Sequence, residues 1–107
     1  MNREIDNKIK KAFERKNIVW RKHTMIRMME RDISRNDVFN AISNGKIIET
    51  YPDIKPYPGY LIFGQADKKM LHTLLSWDED EFIAYIITVY IPDADHFQEN
   101  GKTRKER

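Results

Sequence analysis

Up to about residue 45 the apolar positions recur every three or four residues, and beyond it they gather into short runs separated by turns. Ile5, Ile9, Ala12 and Phe13 share one face of residues 2–16, with Lys8, Lys10, Lys11 and Arg15 elsewhere, which predicts a short amphipathic helix. Ile18, Val19 and Trp20 form an apolar bridge that fits either a short strand or a hydrophobic staple. A second helix is expected over residues 23–31, where Met25, Met28 and Met29 make an apolar stripe suited to anchoring it on the rest of the fold. For the third helix, Ser34 and Asp37 match a capping box, Ile33 and Val38 occupy the staple positions, and Val38, Ala41 and Ile42 supply a core stripe. Gly45 is expected to close this helix in the left-handed conformation, which sets it at about residues 35–43, paired with the preceding helix across a break near Asp32.

From Lys46 onward the period changes. Ile47, Ile48, Thr50 and Tyr51 favour a strand; Pro52, Pro56, Pro58 and Gly59 mark an irregular loop; residues 60–63 form a second run that Gly64 stops. Residues 65–69 read as a polar turn, 70–77 as a third strand, 78–81 as an acidic turn and 82–91 as a long fourth strand. Pro92 ends that strand, residues 93–97 fit one helical turn, and residues 98–107 read as a basic tail. Short turns imply antiparallel neighbours. The expected fold is α+β: N-terminal helices packed on one face of a twisted, mainly antiparallel four-stranded sheet, in a single domain over residues 1–107 with a helical part at 1–45 and the sheet at 46–92.

Composition narrows the class. A chain of 107 residues supports one modest core, and 40% hydrophobic with 34% charged residues marks a globular domain rather than a disordered one. The absence of cysteine excludes disulfides and thiolate metal sites and fits a reducing compartment. The longest apolar run, the ten residues 82–91, falls far short of the roughly 20 needed to span a bilayer. Residues 1–6 carry charge without an apolar segment, so neither a secretory leader nor a membrane partner is expected, and the cytoplasm is the expected location. The net charge of +2 conceals a division: residues 1–35 carry 11 basic and 5 acidic groups, residues 36–100 carry 4 and 11, and residues 101–107 carry 4 and 1. Basic ends around an acidic middle suit either a polyanionic partner or attraction within the fold.

Candidate chemistry concentrates on the second helix. His23, Arg27 and Arg31 lie within about 80° of one another at helical spacing, and an imidazole beside two guanidiniums suits binding a phosphate and moving a proton near it. An ordinary solvated basic face would show the same pattern. His72 shares a strand side with Met70, Leu74 and Ser76. With residues 78–81 as the connection it stands opposite Ile87; with one more loop residue or a bulge it moves opposite Thr88 and near Tyr90, because a slip of one residue exchanges sheet faces. Only the second register makes a polar cluster. Thr88 and Tyr90 share a face and can bond a phosphate or donate a proton, although both are common strand residues. Tyr51, Tyr57 and Tyr60 flank the proline-rich loop, where they either pack it or stack on unpaired bases. The acidic residues 78–81 read as a solvated hairpin turn rather than a metal site, and no phosphate-binding glycine loop, dinucleotide fingerprint or nucleophile elbow is present.

The run from His23 to Arg31, then Ile33, Ser34, Arg35, Asp37 and Val38, Gly45 through Ile48, Tyr51 to Asp53, Leu61 to Gly64, His72, Ile87 to Tyr90, and Pro92 with Asp93, resembles an uncharacterised family of small bacterial proteins, a domain of unknown function grouped with the RelE/ParE-like toxin superfold. The resemblance covers about residues 20–104 and departs at Phe97, where a tryptophan is expected. It implies helices packed on a twisted antiparallel sheet and the toxin of a toxin–antitoxin pair. Relatives in that superfold cleave mRNA, free or ribosome-bound, without a metal, by attack of the ribose 2′-OH on the adjacent phosphate; some branches act on gyrase instead. On that basis His23 or His72 is expected as base or acid, Arg27 and Arg31 as the phosphate clamp, Tyr90 as an accessory donor or stacking group, and Lys22, Thr88 and Arg104 as RNA contacts. The expected partners are RNA and an antitoxin protein, with neither cofactor nor metal, and the oligomeric state is open. The alternative is a non-catalytic module that binds nucleic acid or protein through the same basic helix face. A third possibility makes His23, Arg27 and Arg31 structural partners of the acidic middle of the chain.

Overall fold

The computed structural model describes residues 3–92, so the expected helical turn at 93–97 and the basic tail with Arg104 lie outside the described residues. Three helices, α1 (Arg3–Glu14), α2 (Lys22–Glu30) and α3 (Arg35–Asn44), combine with five strands, β1 (Ile18–Trp20), β2 (Lys46–Tyr51), β3 (Gly59–Ala66), β4 (Lys69–Asp78) and β5 (Ile83–Tyr90). The sheet order is β1-β5-β4-β3-β2. The four later strands are antiparallel neighbours as expected, but the sheet has five strands and is mixed, because β1 pairs with β5 in parallel. The apolar bridge is therefore a strand. Its register sets Ile18 beside Ala84 and Trp20 beside Ile86, and Ala84 N–H donates to the Asn17 carbonyl at 3.1 Å.

One face of the sheet carries the core. Tyr60, Ile62, Ala66, Leu71, Leu75, Trp77, Ala84, Ile86 and Val89 join Ile9, Ala12 and Phe13 of α1 and Val38, Ala41 and Ile42 of α3 in a single buried cluster. Full burial of one such aliphatic side chain contributes about 1.5–3 kcal/mol, far more than the surface ion pairs of α1. At the centre of this face the Thr73 hydroxyl is buried without a hydrogen-bond partner among the described residues. Replacing it by the isosteric valine removes an unsatisfied polar group. Thr73→Val is therefore expected to raise stability by about 1 kcal/mol in urea unfolding, and a loss of stability would show that the hydroxyl is satisfied after all.

The start of α3 follows the sequence. Ser34 Oγ accepts from Asp37 N–H at 3.0 Å and Asp37 Oδ2 accepts from Ser34 N–H at 2.9 Å, while Ile33 and Val38 are both buried. Lys69 adds an ion pair to Asp37 at 3.0 Å. The Ser34 N–H bond, with Lys69 beside it, holds the Asp37 carboxyl below the usual aspartate range. A carboxyl whose folded pKa is depressed stabilises above its unfolded pKa and loses that contribution as pH falls through the folded value. Wild type and Asp37→Ala should thus differ by about 1 kcal/mol near neutrality, and the difference should shrink as the pH falls below the usual aspartate range, which unfolding curves across that range will read.

The end of α3 differs from expectation. Gly45 is extended, with φ −92° and ψ −179°, not left-handed. Glycine is needed there for space: a Cβ would stand 2.5 Å from the Ala41 carbonyl oxygen and 2.6 Å from that of Phe63. Gly64 has the same cause, since a Cβ would come within 1.8 Å of the Ala41 oxygen, and β3 runs straight through it instead of stopping. The Asn44 side chain seals the crossing by donating to the Gln65 carbonyl at 2.7 Å and accepting from Gln65 N–H at 2.9 Å.

Candidate functional site

β1 covers only Ala84–Ile86 of the β5 edge, and α2 takes over where it ends. The Thr24 hydroxyl approaches the carbonyl oxygens of Ile87, at 2.9 Å, and Ile86, at 3.3 Å, while Arg31 Nη1 donates to the Val89 carbonyl at 2.8 Å and lies 3.4 Å from Thr88 Oγ1. The helix thus runs alongside β5 in the same direction, satisfying edge carbonyls that would otherwise face a missing strand. Its anchor is Thr24 and Met28, at 6% and 2% exposure, and the expected methionine stripe fails: Met25 is 37% and Met29 78% exposed. Periodicity located an apolar face, but the sheet edge offers carbonyl acceptors, so the polar Thr24 is turned inward.

This rotation sets His23, Arg27 and Arg31 in a row beside the sheet edge. Arg31 is held by β5, whereas the side chains of His23 and Arg27 are exposed and have no ion-pair or hydrogen-bond partner among the described residues. In contrast, Lys8, Lys10 and Lys69 all pair with carboxylates. A structural role is therefore found for Arg31, through a carbonyl rather than an acidic residue, and among the described residues none is found for the other two. Lys22 lies on α2 at about 160° from Thr24 and stands apart from the row.

The sheet face turned away from α1 and α3 completes the surroundings. A bulge between Leu74 and Leu75 leaves Ile87 unpaired, so Ser76 stands opposite Tyr85, Leu74 opposite Thr88, and His72 opposite Tyr90. Neither expected register is found, yet the polar cluster forms one pair further on: the Tyr90 hydroxyl is 3.4 Å from His72 Nδ1. The His72 ring meets Phe63 edge-on and is 0% exposed. It is thus placed to act through Tyr90 and not on a ligand directly. Ser76, beside the His23 end of the row, is four residues from His72, roughly 13 Å along the strand, so the two imidazoles do not converge on one phosphate.

A cavity of about 350 Å³ opens at the His23 end, between the start of α2, the middle of β5 and the proline-rich loop. Tyr57 stacks on Tyr85 with ring centroids 5.5 Å apart and planes 10° from parallel, and the Arg21 guanidinium lies 5.9 Å from the Tyr85 ring centre. A hydrogen bond from the Tyr57 hydroxyl to Asp78 holds that phenol above its usual pKa by stabilising the protonated form. Asp78 also accepts from the Asp80 and Glu81 N–H groups, each at 3.1 Å, and so closes the β4–β5 hairpin. Among the described residues no group of three His, Cys, Asp or Glu side chains is assembled for a metal ion. Sequence reasoning missed Arg21, Ser76 and Tyr85: the bulge breaks the alternation by which Tyr85 could have been set on the same face as Thr88 and Tyr90.

No described helix is long and apolar enough to cross a membrane. No curated protein and no solved structure matches the chain. The family model described as a domain of unknown function, DUF4258, matches residues 20–91, from the end of β1 through α2, α3 and the four long strands. That span takes in the whole basic row and the strands behind it, and the protein belongs to the DUF4258 family.

Proposed function

We propose that this protein is the toxin of a toxin–antitoxin pair, a RelE/ParE-like endoribonuclease that cleaves mRNA in the cytoplasm without a metal ion. The observation that supports this reading is the row on α2: His23 and Arg27 exposed without partners among the described residues, and Arg31 fastened to β5. Successive members of the row rise about 6 Å along the helix, comparable to the separation of successive phosphates in an extended RNA strand. The imidazole and the two guanidiniums therefore match a single strand laid along the β5 edge, with the guanidiniums suited to grip phosphate oxygens.

In this reading the His23 imidazole takes the proton of a ribose 2′-OH, whose oxygen bonds to the adjacent phosphorus while the bond from phosphorus to the 5′-oxygen breaks. Arg27 stabilises the charge that builds on the phosphoryl oxygens. The leaving oxygen takes its proton from water, because His72 is fully buried and the remaining donor, Tyr90, lies further along the strand. The products are a 2′,3′-cyclic phosphate and a free 5′-hydroxyl. Incubation of labelled RNA with the purified protein and a chelator should yield these two ends. RNA that is bound but left intact would favour the second reading, a binding module, for which the separation of the two imidazoles speaks. RNA neither bound nor cut would overturn both.

A further inference from the structure

We infer that the cavity beside His23 is a nucleotide pocket that takes one unstacked base, with Tyr57 and Tyr85 as its platform and Arg21, His23 and Lys55 as its phosphate side; naming an RNA strand as the source of that nucleotide rests on the proposed function. The volume of about 350 Å³ lies within the range of small-ligand sites. At an ordinary stacking separation of about 3.5 Å, a centroid distance of 5.5 Å between near-parallel rings means a sideways offset of about 4 Å. The two tyrosines therefore overlap only in part and form a stepped shelf along which an aromatic base extends the stack. Both rings are half-buried, so they are held in place yet reachable.

Polar groups surround this shelf in the order a nucleotide requires. Arg21, His23 and Lys55 are exposed at the mouth and have no ion-pair or hydrogen-bond partner among the described residues. Ser76, 6% exposed, lies beneath, and its hydroxyl also has no partner among those residues. A hydroxyl at this depth can bond a base edge. The other aliphatic hydroxyl lining the cavity, that of Thr24, is already directed at the β5 carbonyls. Asp78 and Glu81 are the nearby carboxylates, both on the Tyr57 side, and Asp78 accepts from two turn N–H groups; among the described residues neither is ion-paired to Arg21 or Lys55, whose charges stand at the mouth. The pocket adjoins the first member of the α2 row, so a base seated in it fixes the register in which the following phosphates meet Arg27 and Arg31.

Adenosine monophosphate titrated into isotopically labelled protein should shift the ring resonances of Tyr57 and Tyr85 and the Ser76 amide, whereas ribose 5-phosphate should shift only the cationic mouth. In parallel, a fluorescent single-stranded oligoribonucleotide should bind the wild type, and Tyr57→Ala and Tyr85→Leu should each weaken it about tenfold while the fold, read by circular dichroism, is retained. RNA binding that depends on Arg27 but is unchanged in both tyrosine variants, with no response of the rings to the mononucleotide, would overturn the pocket and leave the proposed function standing. Ring shifts with the mononucleotide in a protein that does not bind RNA would keep the pocket and overturn that function. Neither response would overturn both.

Discussion

Gly64→Ala is expected to lower the unfolding free energy by about 3 kcal/mol or more, a fall in Tm of at least about 12 °C for a domain of this size. The added methyl carbon would stand 1.8 Å from the Ala41 carbonyl oxygen and 2.6 Å from its carbonyl carbon, so it meets helix backbone and not a side chain that could rotate away. The helix cannot lift at that point without loosening its neighbours. Gly45 sits against the same carbonyl, and the Asn44 amide ties the end of α3 to Gln65. Lifting α3 would also strip Val38, Ala41 and Ile42 from the core. Thermal melts of the wild type and the variant decide the matter, and a change below about 1 kcal/mol would mean that α3 can yield to the added methyl without leaving β3.

Arg27→Ala is expected to reduce RNA cleavage by about 10²- to 10³-fold, the usual cost of removing one stabilising group for a developing oxyanion, with no measurable change in Tm. The guanidinium is exposed and has no protein partner among the described residues, so its loss leaves no buried group unsatisfied. Arg31→Ala provides the contrast. Its Nη1 donates to the Val89 carbonyl at 2.8 Å, so this change should lower stability by about 1.5–3 kcal/mol. Equal effects of the two substitutions on cleavage and on melting would remove the distinction between ligand-facing and edge-holding arginines, and cleavage unchanged in Arg27→Ala would remove Arg27 from the site.

The local grammar of the fold was open to reading in the chain itself. The capping box at Ser34, the staple of Ile33 and Val38, the apolar face of α1 and the strand character after Lys46 depend on residues a few positions apart, and all are found. What escaped reading depends on contacts between distant segments. β1 becomes a strand only through Ala84–Ile86, Gly45 and Gly64 answer to the crossing of α3 over β3, and the bulge at Ile87 determines which residue faces His72. The site shows the same division. The helical row was legible from spacing, but the inward turn of Thr24, the burial of His72 and the meeting of Tyr57 with Tyr85 follow from how the sheet edge is completed.

That completion has a consequence in time. The bonds that seat α2 join residues 57 to 63 positions apart, and their partners lie on the last strand of the described chain. Closing so long a loop carries an entropic cost that is met only as α3 and the β2–β3 and β3–β4 pairs between its ends assemble. During synthesis from the N-terminus, α1, α2 and α3 leave the ribosome well before Ile86–Val89 do. Until β5 has emerged and joined β4, Arg31 has no carbonyl to hold it and the platform beneath the pocket has no Tyr85. The basic row therefore exists as a chemical sequence long before it exists as a surface, and a nascent chain lacks the candidate site until β5 is in place.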